Sequence, residues 1–287
     1  MDIGKSRMKN ASATWEDAVR WLIDQPDKVE LTRAAYLDPP VSAAARRYHK
    51  SAEWAATRAL LPSAPGRVID LGAGNGIVSY ALAADGWTVT AVEPDPSRLV
   101  GAGAIRELAA DTGVRIDVIE AFGEAIPLES ANYDVVIARQ VLHHAADLPG
   151  FCREMARLVR AGGTVVTLRD HVIDGPESLA AFLKIHPLHH LYGGENAFTA
   201  DQYRTALQGA GFAIDQQIGS FDSVINYAPM TEAEVIEAIA SRIVPVRGIQ
   251  AMVRIGLRIV GFPLVGRLAT RVDRRPGRLV SFKARKV

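Results

Sequence analysis

The chain changes its hydrophobic pattern near Gly66. Before that point, residues 14–60 place apolar side chains three and four positions apart, which predicts amphipathic helices. After it, short runs rich in Val, Ile and Thr alternate with helical patterns, as in right-handed βαβ units of a parallel sheet. The strand candidates are RVIDL, TVTAVE, RIDVIE, YDVVIA, GTVVTLRD, FAIDQQIGSF and a final RLVSFKARK, whose mixed apolar and basic residues suggest an edge strand. The pattern predicts an α/β fold with a seven-stranded, mostly parallel sheet and helices on both faces.

The same pattern predicts three parts of the chain. A Thr231-x-x-Glu234 capping pattern opens a late helix that Pro245 ends, and Gly261-Phe262-Pro263 interrupts the helical pattern again. These helices precede the last strand candidate, so they form an insertion. We expect an N-terminal helical cap at 1–62, a core at 63–222 and 278–287, and a basic helical insertion at 223–277.

Cysteine use and hydropathy indicate the compartment. Cys152 is the single cysteine among 287 residues, so no intrachain disulfide forms and a reducing compartment fits best. Its helical surroundings favour a buried structural thiol. The first residues lack a signal-peptide pattern, and the chain has no uncharged apolar run of about 18 residues. We expect a cytoplasmic protein, with peripheral contact at the inner membrane surface as an added option.

Charge is unevenly distributed along the chain. Residues 241–287 contain ten Arg and two Lys against one acidic residue, Asp273. Arg254 and Arg258 share one helical face, and Met252 lies on the opposite face. This pattern fits an anionic membrane surface or lipid-like acceptor, a homodimer interface or lid, or a solvated helix. Nucleic acid is disfavoured because no recognition motif accompanies the charge.

A glycine-rich turn in VIDLGAGNGIVSYALAADGWTVTAVEPD indicates a nucleotide site. Ile77 occupies the place of the third glycine of a dinucleotide fingerprint, and the Lys-Ser/Thr pair of a phosphate-binding loop is missing. Asp70 ends the first strand, where it can accept a hydrogen bond from an ammonium group. Glu93 ends the second strand, where a carboxylate accepts from ribose hydroxyls. A carboxylate that binds the ribose hydroxyls, without a loop that binds a diphosphate, fits S-adenosylmethionine.

Four ordered blocks resemble the class I S-adenosylmethionine-dependent methyltransferases, in particular their quinone-methyltransferase branch. These blocks are VIDLGAGNG, AVEPDPS, IPLESANYDVVIARQVLHH and EMARLVRAGGTVVTLRD, within residues 64–172. The resemblance implies a Rossmann-like fold in which the first loop holds the methionyl part, the acid after the second strand binds the ribose, and the backbone after the fourth strand approaches the amino-acid end. The cofactor residues implied or predicted are Asp70, Gly72, Ala73, Gly74, Gly76, Glu93, Pro94, Phe122, Gly123, Ala138 and Arg139. Phe122 departs from the family, which commonly has an aspartate there for the adenine amino group.

Histidines provide the candidate bases. Transfer of a methyl group to a hydroxyl or acidic carbon needs a base that works near neutral pH, and histidine suits that role. His143 and His144 follow the fourth strand, and His171 follows the fifth, at the carboxyl edge of the sheet where ligands bind in such folds. We expect at least one of these three catalytic candidates to face the acceptor.

The segment HPLHHLYGGENAF, which begins at His186, is expected to contact the acceptor. Gly193 and Gly194 would give a lid its hinge freedom. Histidine spacing there could ligate a metal with Asp170 or His171, but short histidine clusters more often pack and hydrogen-bond, so no metal is assigned. The N-terminal helices form the other wall. The substrate-binding candidates are Tyr36, Tyr48, His186, His189, Tyr192, Glu195 and Asn196.

These patterns together predict a methyltransferase that uses S-adenosylmethionine to methylate oxygen or carbon of a small-molecule or lipid-like acceptor. A non-catalytic S-adenosylmethionine-binding regulator or assembly protein of the same fold is the alternative. A nicotinamide-dependent oxidoreductase is less favoured because of Ile77.

Overall fold

A computed structural model describes residues 14–186, 188–243 and 247–287. It contains a seven-stranded sheet in the order β3-β2-β1-β4-β5-β7-β6. The strands are β1 Arg67–Leu71, β2 Thr88–Val92, β3 Ile116–Ile119, β4 Tyr133–Arg139, β5 Val159–Val172, β6 Phe212–Ile218 and β7 Arg278–Lys286. The first five strands pair in parallel, and β7 pairs antiparallel with both β5 and β6. The predicted seven-stranded, mostly parallel sheet is confirmed.

The position of β7 corrects the sequence interpretation. RLVSFKARK was expected at an edge, but it lies between two strands, and β6 forms the edge instead. Val280, Phe282 and Ala284 are buried on β7. Lys286 still has polar partners, because its Nζ donates to the carbonyl oxygens of Ala156 at 2.6 Å and Val159 at 2.9 Å. The basic side chain at the end of this interior strand therefore resembled the basic residues that are typical of edge strands.

Helices cover both faces of the sheet. On β4, Val136 and Ala138 belong to one buried cluster, and Val135 and Ile137 belong to another, as strand alternation requires. Helices α7 and α10 pack in the first cluster, and α3 to α5 pack in the second. The α-helices preceding the insertion are α1 Trp15–Ile23, α2 Val29–Ala34, α3 Val41–His49, α4 Ala52–Arg58, α5 Ile77–Ala84, α6 Ala102–Thr112, α7 Leu148–Leu158, α8 Pro176–Ile185, α9 His189–Tyr192 and α10 Ala200–Gly209.

The segment between β6 and β7 is helical. It contains α11 Val224–Tyr227, α12 Glu232–Ile243, α13 Arg247–Val260 and α14 Phe262–Val272. The capping pattern before α12 is formed, since Thr231 N–H donates to Glu234 Oε2 at 2.7 Å. The predicted stop at Pro245 lies outside the described residues. The break at Gly261 is confirmed, and α13 and α14 meet at a bend of 111°.

No single helix of the described chain has the length and apolar content of a membrane span. By length and composition alone, the bent pair α13–α14 passes that criterion as a unit. Elsewhere, Cys152 is fully buried in α7, as the sequence predicts, and burial raises the pKa of its thiol to about 12. The division into cap, core and insertion stays a prediction.

Candidate active site

The glycine-rich turn begins the site at the carboxyl end of β1. Gly72 has φ +61°, and a Cβ there would lie 2.5 Å from Val141 Cγ2. Gly76, with φ +84°, caps the N-terminus of α5. Left-handed backbone of this kind favours glycine, because other residues place Cβ against the backbone. The turn therefore bends sharply enough to leave space above the end of the sheet.

A single cavity of about 960 Å³ occupies this space. Its volume is at the upper end of the range for small-molecule sites. The residues predicted for cofactor binding that line it are Asp70, Gly72, Ala73, Gly74, Glu93, Pro94, Phe122, Gly123 and Arg139. The residues predicted for catalysis or acceptor binding that line it are His143, His144, His171, His186, Tyr192 and Glu195. The structure thus joins the two predicted halves of the site.

Asp70 is a buried carboxyl group at the base of the cavity. The hydroxyl of Ser79 donates to its Oδ2 at 2.6 Å. Burial raises the pKa of Asp70 to about 7, the nearby Glu93 carboxylate also raises it, and the Ser79 hydrogen bond opposes the change. A positively charged group in the cavity would therefore find a carboxyl group that ionises near neutral pH.

Glu93 is held by the backbone of two loops. Its Oε2 accepts from Gly74 N–H at 2.8 Å, and its Oε1 accepts from Asp95 N–H at 2.9 Å. Burial raises the pKa of Glu93, whereas these two hydrogen bonds lower it. Each carboxylate oxygen keeps a further lone pair for a ligand hydroxyl. This arrangement fixes the Glu93 carboxylate, a hydrogen-bond acceptor, between the glycine-rich turn and the end of β2.

Phe122 lies at the rim of the cavity with 71% of its surface exposed. Phe122 is therefore not a core aromatic side chain. Gly123, beside it, has no room for a side chain, because a Cβ would lie 2.0 Å from Phe151 Cε2. Gly76 and Ala138 are not among the cavity-lining residues of the described chain; Gly76 starts α5, and Ala138 is buried in β4.

Arg139 reaches the cavity from the end of β4, but its charge is already paired. Its Nε donates to Glu53 Oε1 of α4 at 2.9 Å, and its Nη1 donates to Gln140 Oε1 at 2.7 Å. Burial lowers the pKa of Arg139, but the Glu53 carboxylate outweighs this effect and the net pKa is raised. Arg139 therefore remains charged beside the methionyl end of the predicted cofactor site.

His143 is buried against Asp170, which follows β5's bulge. Asp170 Oδ1 accepts from the backbone N–H of His143 and of Val141, both at 3.2 Å, and lies 3.0 Å from His143 Nδ1. Burial raises the pKa of Asp170 to about 7. Burial also lowers the pKa of His143 well below its usual value, and the neighbouring His144 adds to this effect. His143 is thus neutral near pH 7, with Nε2 directed away from Asp170.

Glu195 lies at the centre of a group of polar side chains in the cavity. Tyr192 Oη donates to its Oε1 at 2.6 Å. Its Oε2 lies 3.7 Å from His143 Nε2 and 4.0 Å from His144 Nε2, and its Oε1 lies 3.7 Å from His186 Nδ1. Burial raises the pKa of Glu195, but the nearby histidines outweigh it and the net pKa is lowered. The sequence predicted Glu195 as a contact of the acceptor, and the structure places it in the cavity lining within this cluster.

His144 and His171 complete the polar half. His144 Nδ1 lies 3.1 Å from the carbonyl oxygen of Gly194, and His171 Nδ1 lies 2.8 Å from that of Gly277. A nitrogen that bonds a carbonyl must carry the proton, so Nε2 of each neutral ring has the free lone pair. Burial lowers the pKa of His171 to about 3. The ring of His171 therefore presents Nε2 as a hydrogen-bond acceptor.

Four residues predicted to bind substrate do not line the cavity within the described chain: Tyr36, Tyr48, His189 and Asn196. Tyr48 is completely buried, with its ring 5.2 Å from that of Tyr36 and 5.7 Å from that of Trp54. These aromatics pack α3 and α4 against the core and do not face a ligand. The wall from the N-terminal helices is instead apolar. It consists of Trp15, Leu22, Leu31, Ala35 and Leu37.

Comparison with known families gives a match to the middle of the chain. Residues 69–167 match the family described as "Methyltransferase domain". A ubiquinone biosynthesis O-methyltransferase of Methylocella silvestris is 39% identical over 97 residues, or 34% of this chain and 37% of that protein. The chain thus spans well under half the length of this curated relative. The residues that match the family model include Asp70, the glycine-rich turn and Glu93, and also His143 and His144.

Solved structures extend the similarity in fold. Geranyl diphosphate C-methyltransferase from Streptomyces coelicolor A3(2) superposes with a TM-score of 0.57 at 16% identity and covers 96% of this chain and all of its own. An S-adenosylmethionine-dependent methyltransferase from Mesorhizobium loti superposes with a TM-score of 0.52 at 19% identity and covers 83% of this chain and all of its own. The chain therefore shares its overall fold with these two proteins.

Proposed function

We propose that this chain, whose residues 69–167 make up a class I S-adenosylmethionine-dependent methyltransferase domain, transfers the methyl group of that cofactor to a small-molecule or lipid-like acceptor. One observation carries the proposal. The same cavity is lined by Asp70 and Glu93 of the predicted cofactor site and by the histidine cluster. Cofactor and acceptor would therefore meet without crossing solvent, as in-line transfer requires.

The cofactor half supplies complementary groups for each part of S-adenosylmethionine. Asp70 would accept from the ammonium group, and Glu93 would accept from the ribose hydroxyls. The turn at Gly72 lets the backbone approach the methionyl chain. Phe122 would pack on the adenine ring at the rim. Asp70 and Gly72 lie at the end of β1, Glu93 follows β2 and Phe122 follows β3, and we expect the sulfonium to face the histidines.

The acceptor half combines an apolar wall with a candidate base. Trp15, Leu22 and Leu37 would contact an apolar acceptor body. His144 Nε2 would accept the acceptor's proton as an oxygen or carbon lone pair attacks the methyl carbon and the carbon–sulfur bond breaks toward sulfur. The products are the methylated acceptor and S-adenosylhomocysteine. His144 suits this role because its Nδ1 proton is held by the Gly194 carbonyl.

Incubation with methyl-labelled S-adenosylmethionine and fractionated cell extract tests the proposal. We expect label in an apolar small-molecule fraction. His144→Gln should lower the rate about 100-fold, since general-base catalysis contributes at least that much, without changing S-adenosylhomocysteine affinity. His49→Gln is the matched control, because His49 bonds Asp85 at 2.9 Å outside the cavity. Label in no fraction contradicts methyl transfer, and an undiminished rate in His144→Gln removes that residue from proton transfer.

The insertion favours a second role in membrane contact. Helices α13 and α14 expose large apolar side chains at Ile249, Met252, Ile255, Ile259, Val260, Leu264, Leu268 and Val272. Arg258, Arg267 and Arg271 are exposed on the same helices. Apolar side chains flanked by arginines suit the interface of an anionic bilayer. We propose that this surface contacts the membrane peripherally and brings a lipid-like acceptor to the cavity. A cytoplasmic location at the inner membrane surface is part of this proposal.

Liposome flotation tests the membrane contact. Vesicles of anionic phospholipid should bind the protein, and vesicles of zwitterionic phospholipid should not. Replacing Arg258, Arg267 and Arg271 by Gln should weaken binding roughly 100-fold, since each basic residue near the surface contributes about 1 kcal/mol. Val29→Glu, at an exposed apolar site on α2, is the control and should change nothing. Equal binding by the triple variant contradicts the proposal, and sedimentation as a dimer that Ile255→Glu dissociates would assign the surface to a homodimer.

A further inference from the structure

We propose that His143, His171 and Glu195 form a binding site for a divalent transition-metal cation. Each residue offers one ligand atom, and the three atoms lie within 4.8 Å of one another. They come from three separate segments, after β4, at the end of β5 and after α9. Two imidazoles and one carboxylate form a ligand set that binds zinc and other borderline divalent metals.

Each ligand is oriented by a partner behind it, as metal ligands are. His143 Nδ1 faces Asp170 Oδ1 at 3.0 Å, and His171 Nδ1 donates to the Gly277 carbonyl at 2.8 Å. Both Nε2 atoms are therefore available. Tyr192 holds Oε1 of Glu195, so its Oε2 turns toward His143 Nε2 at 3.7 Å. Such partners fix ring orientation and increase the basicity of metal-ligating histidines.

A buried polar atom beside the cluster gives an independent indication. His186 Nδ1 is buried and has no hydrogen-bond partner within the described chain, although Glu195 Oε1 lies 3.7 Å away. A buried polar atom without a hydrogen-bond partner destabilises the folded protein. Such an atom indicates a place where a ligand or ion can supply the partner. Asp170 Oδ2 is likewise buried without a partner in the described residues. A dication at the cluster would draw these groups together and compensate the buried carboxylates.

The geometry needs only a small adjustment. Ligand bonds of about 2.1 Å place tetrahedral ligand atoms about 3.4 Å apart, so the widest present spacing, at most 4.8 Å, must contract by up to about 1.4 Å. All three residues line the cavity, so the remaining coordination positions face the acceptor. The ion would orient an acceptor oxygen beside His144, and this role rests on the proposed function. Metal binding itself does not depend on methyl transfer. Magnesium is disfavoured because it prefers oxygen ligands.

Titration of the chelator-treated full chain with zinc chloride, followed by calorimetry, tests the site. We expect one zinc per chain, a tetrahedral absorption spectrum with cobalt, and no heat with magnesium. His171→Gln and Glu195→Gln should each weaken zinc binding at least tenfold. Asp170→Asn should weaken it about 10–100-fold, the usual effect of losing a group behind a metal-ligating histidine. His49→Gln is the matched control and should bind like the wild type.

The outcomes separate a metal site from a structural cluster. Thermal melting in chelator verifies that each variant is folded, and Glu195→Gln keeps the shape of the side chain if His171→Gln does not fold. Failure of the wild type to bind zinc, or equal zinc affinity in all folded variants, overturns the proposal. Binding of S-adenosylhomocysteine to the same metal-free protein is measured separately, so a missing metal site and a missing cofactor site give different results.

Discussion

Asp70 shows at the scale of one residue how burial prepares a site. A carboxyl group with a pKa of about 7 is partly protonated at neutral pH in the free protein, and an ammonium ligand must displace that proton. Ser79 donates to it, Glu93 raises its pKa, and Arg139 lowers it. Binding of the proposed cofactor should therefore release a proton.

The affinity for S-adenosylhomocysteine should depend on pH. Below pH 7 the protonated form of Asp70 dominates, so affinity should fall by up to about tenfold per pH unit and level off above pH 7. Calorimetry between pH 5.5 and 8.5 measures this. Asp70→Asn should bind weakly and flatten the profile.

Since the folded pKa of Asp70 is raised, ionisation of this group destabilises the apoprotein as pH rises toward 7. Asp70→Asn should then raise the melting temperature more at pH 8 than at pH 5, and the reverse order would contradict the assignment.

Phe122 gives a second prediction for a single residue. Its exposed ring contributes little to folding, but stacking on an adenine is worth about 1–3 kcal/mol. Phe122→Ala should therefore weaken S-adenosylhomocysteine binding by about 5–150-fold and leave the unfolding free energy unchanged. Met252→Ala is the control, because Met252 is equally exposed on the insertion. Unchanged affinity would exclude the ring from the adenine site.

The sequence predicted some of these residues and missed others for one reason. Asp70 and Glu93 end strands, and the end of a parallel strand determines where a side chain lies. Tyr48 and Trp15 lie on helices, where the buried face depends on how the helix packs. The sequence placed Tyr48 in the site, and the structure places Trp15 there. The convergence of Glu195 on His143 depends on a long loop conformation that has no local pattern.

Among the secondary-structure elements, each strand of the sheet was predicted from the hydrophobic periodicity of the sequence. It predicted which side chains are buried, but it did not predict which strand is the neighbour, so β7 was placed at an edge and lies between β5 and β6. Turns were more predictable, because positive φ at Gly72 and Gly76 matches their place in the motif.

Two glycine substitutions should change stability in opposite directions. Gly72→Ala combines a left-handed backbone with a clash against Val141, and should destabilise the protein by about 1–3 kcal/mol. Gly256→Ala lies within α13 with open space around it, and should stabilise the protein by up to about 1 kcal/mol. Urea unfolding measures both, and changes of the same sign would contradict this account of the two backbones.

In the molecule as a whole, segments far apart in the sequence meet at the cavity. Trp15 of α1 packs edge-on against Tyr192 of α9, with ring centroids 5.0 Å apart. Leu188 joins the same buried cluster. Tyr192 also bonds Glu195, so this contact connects the cap to the histidine cluster.

Ligand binding should tighten this closure. Hydrogen exchange of the backbone amides in α1 and α9 should slow when S-adenosylhomocysteine is bound, because their contacts cover the cavity. Helix α10 packs on the sheet through Tyr203 and Leu207, and within the described chain none of its residues lines the cavity, so its exchange should stay the same. Equal protection of α10 would indicate general stabilisation instead of closure, and Trp15→Ala should abolish the difference.

The interior position of β7 has a consequence for the order in which the protein folds during synthesis. Strand β6 bonds only β7 among the described strands, and β7 begins 60 residues after β6 ends. While the ribosome makes α11 to α14, β5 presents an unpaired edge and β6 has no place in the sheet. The emerging chain would have to protect both from aggregation until β7 arrives and joins them.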